Sequence, residues 1–128
     1  MKYVLWLLQI LVAVAFLGAG FMKLTAPIDE LAQTMTWVTA LPVWLVRFIG
    51  LVEIAGALGL VLPALTRIQP QLTPLAGAAL VLVMLLATVF HIVRGEFGLV
   101  LPNIVLMVLA GLVAYGRGKL LPISPKPA

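Results

Sequence analysis

Residues 75–93 read LAGAALVLVMLLATVFHIV, nineteen consecutive positions without an Asp, Glu, Lys or Arg. At a rise of 1.5 Å per residue, a helix of this length covers about 28 Å, close to the roughly 30 Å hydrocarbon core of a bilayer. The apolar residues follow one another without alternating polar positions, which is not the pattern of a membrane β-barrel strand. The run therefore predicts a transmembrane helix.

Three further runs of the same kind lie around it. Tyr3 to Met22 is broken only by Gln9, Val43 to Leu62 holds Arg47 and Glu53, and Phe97 to Tyr115 has Asn103 as its main polar residue. The predicted spans are about 3–24, 43–63, 74–94 and 99–117. The fold class is all-α, an integral membrane four-helix bundle forming one membrane domain over residues 1–128. The first run carries Lys2 and Gly18-Ala19-Gly20, as a secretory signal peptide would. It is longer than the roughly 7–15 residues of a signal h-region, so a retained helix is expected.

Composition supports this reading. The 128 residues are 64% hydrophobic and 9% charged, against about 25% charged in a soluble domain. The formal charge of +4 is spread along the chain and flanks the apolar runs. That is a membrane-orientation pattern, whereas a nucleic-acid face would cluster its cations. With no cysteine and a single histidine, disulfides, thiol redox chemistry, Fe–S clusters, zinc–thiolate sites and a bis-histidine haem held by one chain are excluded. No metal site is expected. Any redox cofactor would be organic and noncovalent.

The connectors are short, and Ala26 to Pro42 is the longest. Thr25 suits a cap, Pro27 a first helical position, and Asp29 and Glu30 a first turn. Ile28, Leu31, Met35 and Val38 recur at helical spacing. A short amphipathic helix is predicted on the membrane surface between spans 1 and 2, with Trp37 and Trp44 at the interface. Pro63 is expected to close the second span, Arg94-Gly95-Glu96-Phe97-Gly98 to form a tight turn, and the tail from Ile123 to Ala128 to be mobile. Lys2, Arg67, Arg117, Lys119 and Lys126 fall on one side. Lys23 and Arg94 fall on the other, with Asp29, Glu30 and Glu96. The positive-inside rule then predicts a multi-pass protein of the cell membrane with both termini cytoplasmic.

Polar residues inside the spans are the informative ones. A charge near the bilayer centre costs at least about 2.5–3.5 kcal/mol. Glu53 sits near the middle of the second span, and Arg47 lies one to two turns above it. Six residues apart, they are not helical neighbours, so each is expected to find a partner on another helix. Lys23, His91 and Asn103 fall at the same level of the other three helices. Together they predict a pocket, with Lys23, Arg47, His91 and Asn103 at its rim and Glu53 at its floor. The plainer readings are a snorkelling Lys23, a packing His91, an Asn103 that caps or joins helices, and a structural Glu53 pair.

The pattern Phe16-x-x-x-Gly20-x-x-Lys23-Leu24, then Arg47-x-x-Gly50-x-x-Glu53-x-x-Gly56, His91 late in the third helix and Gly116-Arg117-Gly118 after the fourth resembles the DoxX family of small membrane proteins. The resemblance implies a four-helix bundle and a link to membrane redox chemistry, since members include a subunit of a thiosulfate:quinone oxidoreductase. The positions carried over are Lys23, Arg47, Glu53 and His91. On this reading the chain is a quinone-associated subunit or accessory of a membrane oxidoreductase system. Glu53 and His91 would be catalytic, Lys23, Arg47 and Asn103 would hold the cofactor, and quinone is the implied cofactor. The alternatives are a noncatalytic anchor or scaffold subunit of a larger complex and, third, a small transporter. Expected partners are the lipid bilayer, a redox partner protein or complex subunits, and further copies of the chain in a homo-oligomer. Nucleic acid is not among them.

Overall fold

The apolar runs form four long helices in the computed structural model, which describes residues 2–127. Helix α1 is Lys2–Thr25, α2 is Ile28–Thr34, α3 is Val43–Thr66, α4 is Leu72–Val93 and α5 is Val100–Tyr115. A 3₁₀ turn at Phe97–Leu99 leads into α5, and a π-wound turn at Gly116–Leu120 extends it. The fourth apolar stretch thus runs from Phe97 to Leu120. All four are long and apolar enough to cross a membrane, and the protein is an all-α membrane four-helix bundle.

The helices run up, down, up, down. Helix α1 packs on α3, α3 on α4 and α4 on α5, and α5 closes the ring against α1. The ring encloses Val12, Phe16, Ala57, Leu60, Leu80, Met84, Ala110 and Val113. The N-terminus, the α3–α4 turn and the C-terminal tail share one end of the bundle, called here the terminal end. Segment 26–42 and the α4–α5 turn share the opposite end.

Lipid removes the hydrophobic drive between helices, so close van der Waals approach must hold them together. Gly20 and Gly50 provide it between α1 and α3. A Cβ on Gly20 would lie 2.7 Å from the Gly50 carbonyl oxygen, and one on Gly50 would lie 2.6 Å from the Gly20 carbonyl oxygen. The two backbones touch at this level.

Four expectations are corrected. Pro63 does not close its helix: α3 continues to Thr66 and ends at Arg67 in a left-handed conformation (φ 59°). Proline withholds one donor, from the Gly59 carbonyl, and a neighbouring helix can compensate. The next carbonyl along, that of Leu60, accepts from Gln9 Nε2 on α1 at 2.8 Å. The surface helix breaks in two at Met35, with α2 followed by a 3₁₀ turn at Thr36–Ala40. Leu31 and Val38 are buried with Val46 of α3, so the segment packs onto the bundle end. Pro27 is the N-cap of α2, and Thr25 remains in α1, its hydroxyl donating back to the Phe21 carbonyl. The tail is tied down. Arg67 donates to the carbonyls of Ser124 and Pro125, and the Lys126 N–H donates to the Arg67 carbonyl. Ala128, the last residue of the predicted mobile tail, lies outside the described residues. The tight turn after α4 is present, with Gly95 at φ +74°.

Candidate functional site

At the opposite end of the bundle, Lys23 Nζ lies 2.6 Å from Glu53 Oε1. The glycines set this distance. Gly20 and Gly50 each precede one member of the pair by three residues, so their contact brings both side chains into one seam. Cα–Cβ bonds tilt toward a helix's own N-terminus. In antiparallel α1 and α3, this tilts Lys23 and Glu53 toward each other along the bundle axis. Lys23 therefore does not snorkel outward: it is 8% exposed and Glu53 is 1% exposed. Neither charge faces water, and each neutralises the other.

Arg47 does a different job. Its guanidinium donates to the carbonyls of Lys23 at 2.9 Å and Ala26 at 2.6 Å. In a continuous helix the Lys23 carbonyl would accept from residue 27, but Pro27 has no N–H. Arg47 supplies the missing donor, and its charge suits the negative end of the α1 dipole. Both α3 residues thus find partners on α1 or just beyond its end, as their six-residue separation predicts.

His91 is buried near the end of α4. Its Nδ1 lies 3.0 Å from Glu96 Oε1, and its ring meets Trp37 and Phe90 edge-on. Trp37 also lies 5.6 Å from Lys23 Nζ, so its ring neighbours both the lysine and the histidine. Trp37 is thereby half-buried against the bundle end, while Trp44 is exposed. Glu96 also accepts from Arg94 Nε at 3.0 Å. The hydrogen bond from Arg94, with that of His91 second, holds the Glu96 carboxyl below the usual carboxylate range.

Four of the five candidates gather here: Lys23, Glu53, Arg47 and, across Trp37, His91. Asn103 makes no hydrogen bond to any of them among the described residues, and its Nδ2 is buried without a partner. Glu53, expected at the floor of a pocket, is 1% exposed and closed off by Lys23. Among the described residues, no three His, Asp or Glu side chains converge as a metal site would require.

Sequence reasoning missed two features. Glu96 is the partner of His91, five residues away across the Gly95 turn. At the terminal end, Arg117 is buried and donates through Nε to Gln9 Oε1 at 2.6 Å. The signal was available in Gln9, the lone polar break in the first run, since a buried amide in lipid requires partners.

A family model covers most of the chain. It matches residues 7–113 and is that of the DoxX-like family. The chain belongs to the DoxX-like family. The matched span takes in Lys23, Arg47, Glu53, His91 and Asn103 and stops before Gly116-Arg117-Gly118, so the last element of the DoxX pattern lies beyond it. No curated protein and no solved structure matches this DoxX-like chain at a significant level.

Proposed function

We propose that this DoxX-like protein is a noncatalytic accessory subunit of a membrane oxidoreductase assembly, a four-helix anchor on which other subunits carry the chemistry. One observation carries the reading: the deepest charge in the bundle, Glu53, is closed off in a 2.6 Å pair with Lys23 and is 1% exposed. A buried pair with its charges satisfied can fix helix register and offers no surface to a substrate. The redox setting rests on what DoxX resemblance implies. The second reading, a quinone-associated site, rests on His91 and Glu96, an imidazole–carboxylate couple able to hold or pass a proton.

Purification in mild detergent tests the two readings. The accessory reading expects companion proteins to co-purify and no stoichiometric quinone in the extract. Stoichiometric quinone that is lost in His91→Gln, with the fold intact, would replace it with the quinone-site reading.

We also infer that the chain sits in the cell membrane with both termini in the cytoplasm. Five cations, Lys2, Arg67, Arg117, Lys119 and Lys126, belong to the terminal end, against three, Lys23, Arg47 and Arg94, toward the other. The chain has no cysteine, so single cysteines report cleanly. In intact cells a membrane-impermeant maleimide is expected to label Gln33→Cys and to reach Lys126→Cys only after permeabilisation. The reverse pattern inverts the topology.

A further inference from the structure

The terminal end carries an unbalanced charge. Arg117 is 5% exposed. Its Nε donates to Gln9 Oε1 at 2.6 Å, its Nη1 donates to the Leu121 carbonyl at 3.0 Å, and its Cζ lies 5.4 Å from the Trp6 ring centroid. Its Nη2 is buried with no acceptor among the described residues. No carboxylate side chain answers it. The four in the chain are Asp29, Glu30, Glu53 and Glu96. Glu53 is held by Lys23, Glu96 by Arg94 and His91, and Asp29 and Glu30 lie on α2 at the opposite end.

A cavity of about 410 Å³ adjoins Arg117. Arg117, Lys2 and Arg67 line it together with Trp6, Leu65 and Ile123. Its size lies within the range of small-ligand sites, roughly 300–1,000 Å³. Its wall combines three cations, no anion and an apolar remainder. Arg67 spends its guanidinium on the Ser124 and Pro125 carbonyls and contributes field. Lys2 makes no hydrogen bond within the described residues, and its Nζ rests 5.9 Å from the Tyr3 ring centroid. Lys2 Nζ is thus left for a ligand, and the Arg117 guanidinium, with Nη2 buried and unfilled, adds an unanswered charge in the wall. A buried cation with an unfilled donor beside like charges is costly, and a bound anion offsets that cost.

We infer that this cavity is a binding site for a phosphate group carried by an acidic phospholipid. Lys2 contacts the phosphate oxygens, the Arg117 guanidinium turns its unfilled Nη2 toward them, and Leu65 and Ile123 take the apolar part of the headgroup region. A planar guanidinium is well matched to phosphate oxygens. Basic pockets between transmembrane helices on the cytoplasmic side suit such headgroups, and the proposed orientation puts this end in that leaflet. The chemistry recognised is phosphate, so free inorganic phosphate is the competing source.

The test uses the full chain purified in detergent, with phosphatidylglycerol, phosphatidylcholine or inorganic phosphate added. Native mass spectrometry counts bound lipid, and thermal melting reports stabilisation. The wild type is expected to retain phosphatidylglycerol at least tenfold more strongly than phosphatidylcholine and to melt higher with it. Lys2→Gln, which disturbs no internal hydrogen bond, is expected to melt like the wild type without lipid and to bind phosphatidylglycerol about tenfold more weakly. Arg117→Lys keeps the charge, loses the fork and is expected to weaken retention as well. Equal retention of the two lipids, or a Lys2→Gln protein that holds phosphatidylglycerol like the wild type, overturns the site. Millimolar inorganic phosphate that reproduces the full stabilisation and displaces phosphatidylglycerol overturns the lipid as its ligand.

Discussion

Glu53→Leu is expected to destabilise the bundle by about 3–5 kcal/mol, the usual cost of stranding one member of a buried ion pair. Among the described residues, the substitution removes the only anion within reach of Lys23, a residue 8% exposed whose ammonium is held at 2.6 Å from Glu53. That ammonium must then stay charged and unpaired, lose its proton, or pull α1 away from α3. The double variant Lys23→Met with Glu53→Leu is expected to recover most of the loss, because a well-packed apolar pair often equals a buried ion pair. Equilibrium unfolding in mixed micelles, or melting in detergent, measures both variants. A single variant as stable as the wild type would mean that water reaches the pair. A double variant worse than either single would mean that the two charges have separate tasks, against the accessory-subunit reading.

Gly50→Val is expected to cost about 3 kcal/mol or more, at or above the top of the range for overpacking. Its first added carbon would lie 2.6 Å from the Gly20 carbonyl oxygen and 2.8 Å from the Leu24 nitrogen. Both are backbone atoms, which cannot rotate aside, so α1 and α3 must separate. Gly56→Ala is the control. The three atoms nearest the carbon added there all belong to the Leu80 side chain, which yields more readily than backbone. Melting of the two variants in the same detergent checks the contrast. If Gly50→Val melts no lower than Gly56→Ala, the backbone contact between α1 and α3 is not what holds them.

The bundle was legible because the signals that specify it are local. Each long helix announces itself in some twenty apolar residues, and lipid permits few other arrangements of such a run. The level at which Lys23, Arg47, Glu53 and His91 gather was legible too, since depth along a helix follows from counting residues. Their pairing was less so. Counting cannot reveal that Pro27 leaves a carbonyl for Arg47, because that bond joins residues on two different elements. The Gln9–Arg117 bond spans almost the whole chain, and Arg117 reads from sequence as one more flanking cation. The break at Met35 escaped notice because the apolar spacing from Ile28 to Val38 marks which face turns inward and does not mark how many helices bear it.

The bonds from Arg47 to the Lys23 and Ala26 carbonyls also have a mechanical meaning. Trp37 of segment 26–42 lies 5.6 Å from Lys23 Nζ, and the segment's first residue, Ala26, is clamped to α3 by the second of these contacts. For the segment to swing clear, the clamp must let go. A hydrogen bond to a charged group contributes about 1.5–3 kcal/mol, so releasing the Ala26 carbonyl costs about that much. At roughly 1.4 kcal/mol per factor of ten, this one contact lowers the population of the unlatched form about ten- to a hundredfold. Arg47 is the bolt on this end of the bundle, and anything that reaches Glu53 by this route must first draw it.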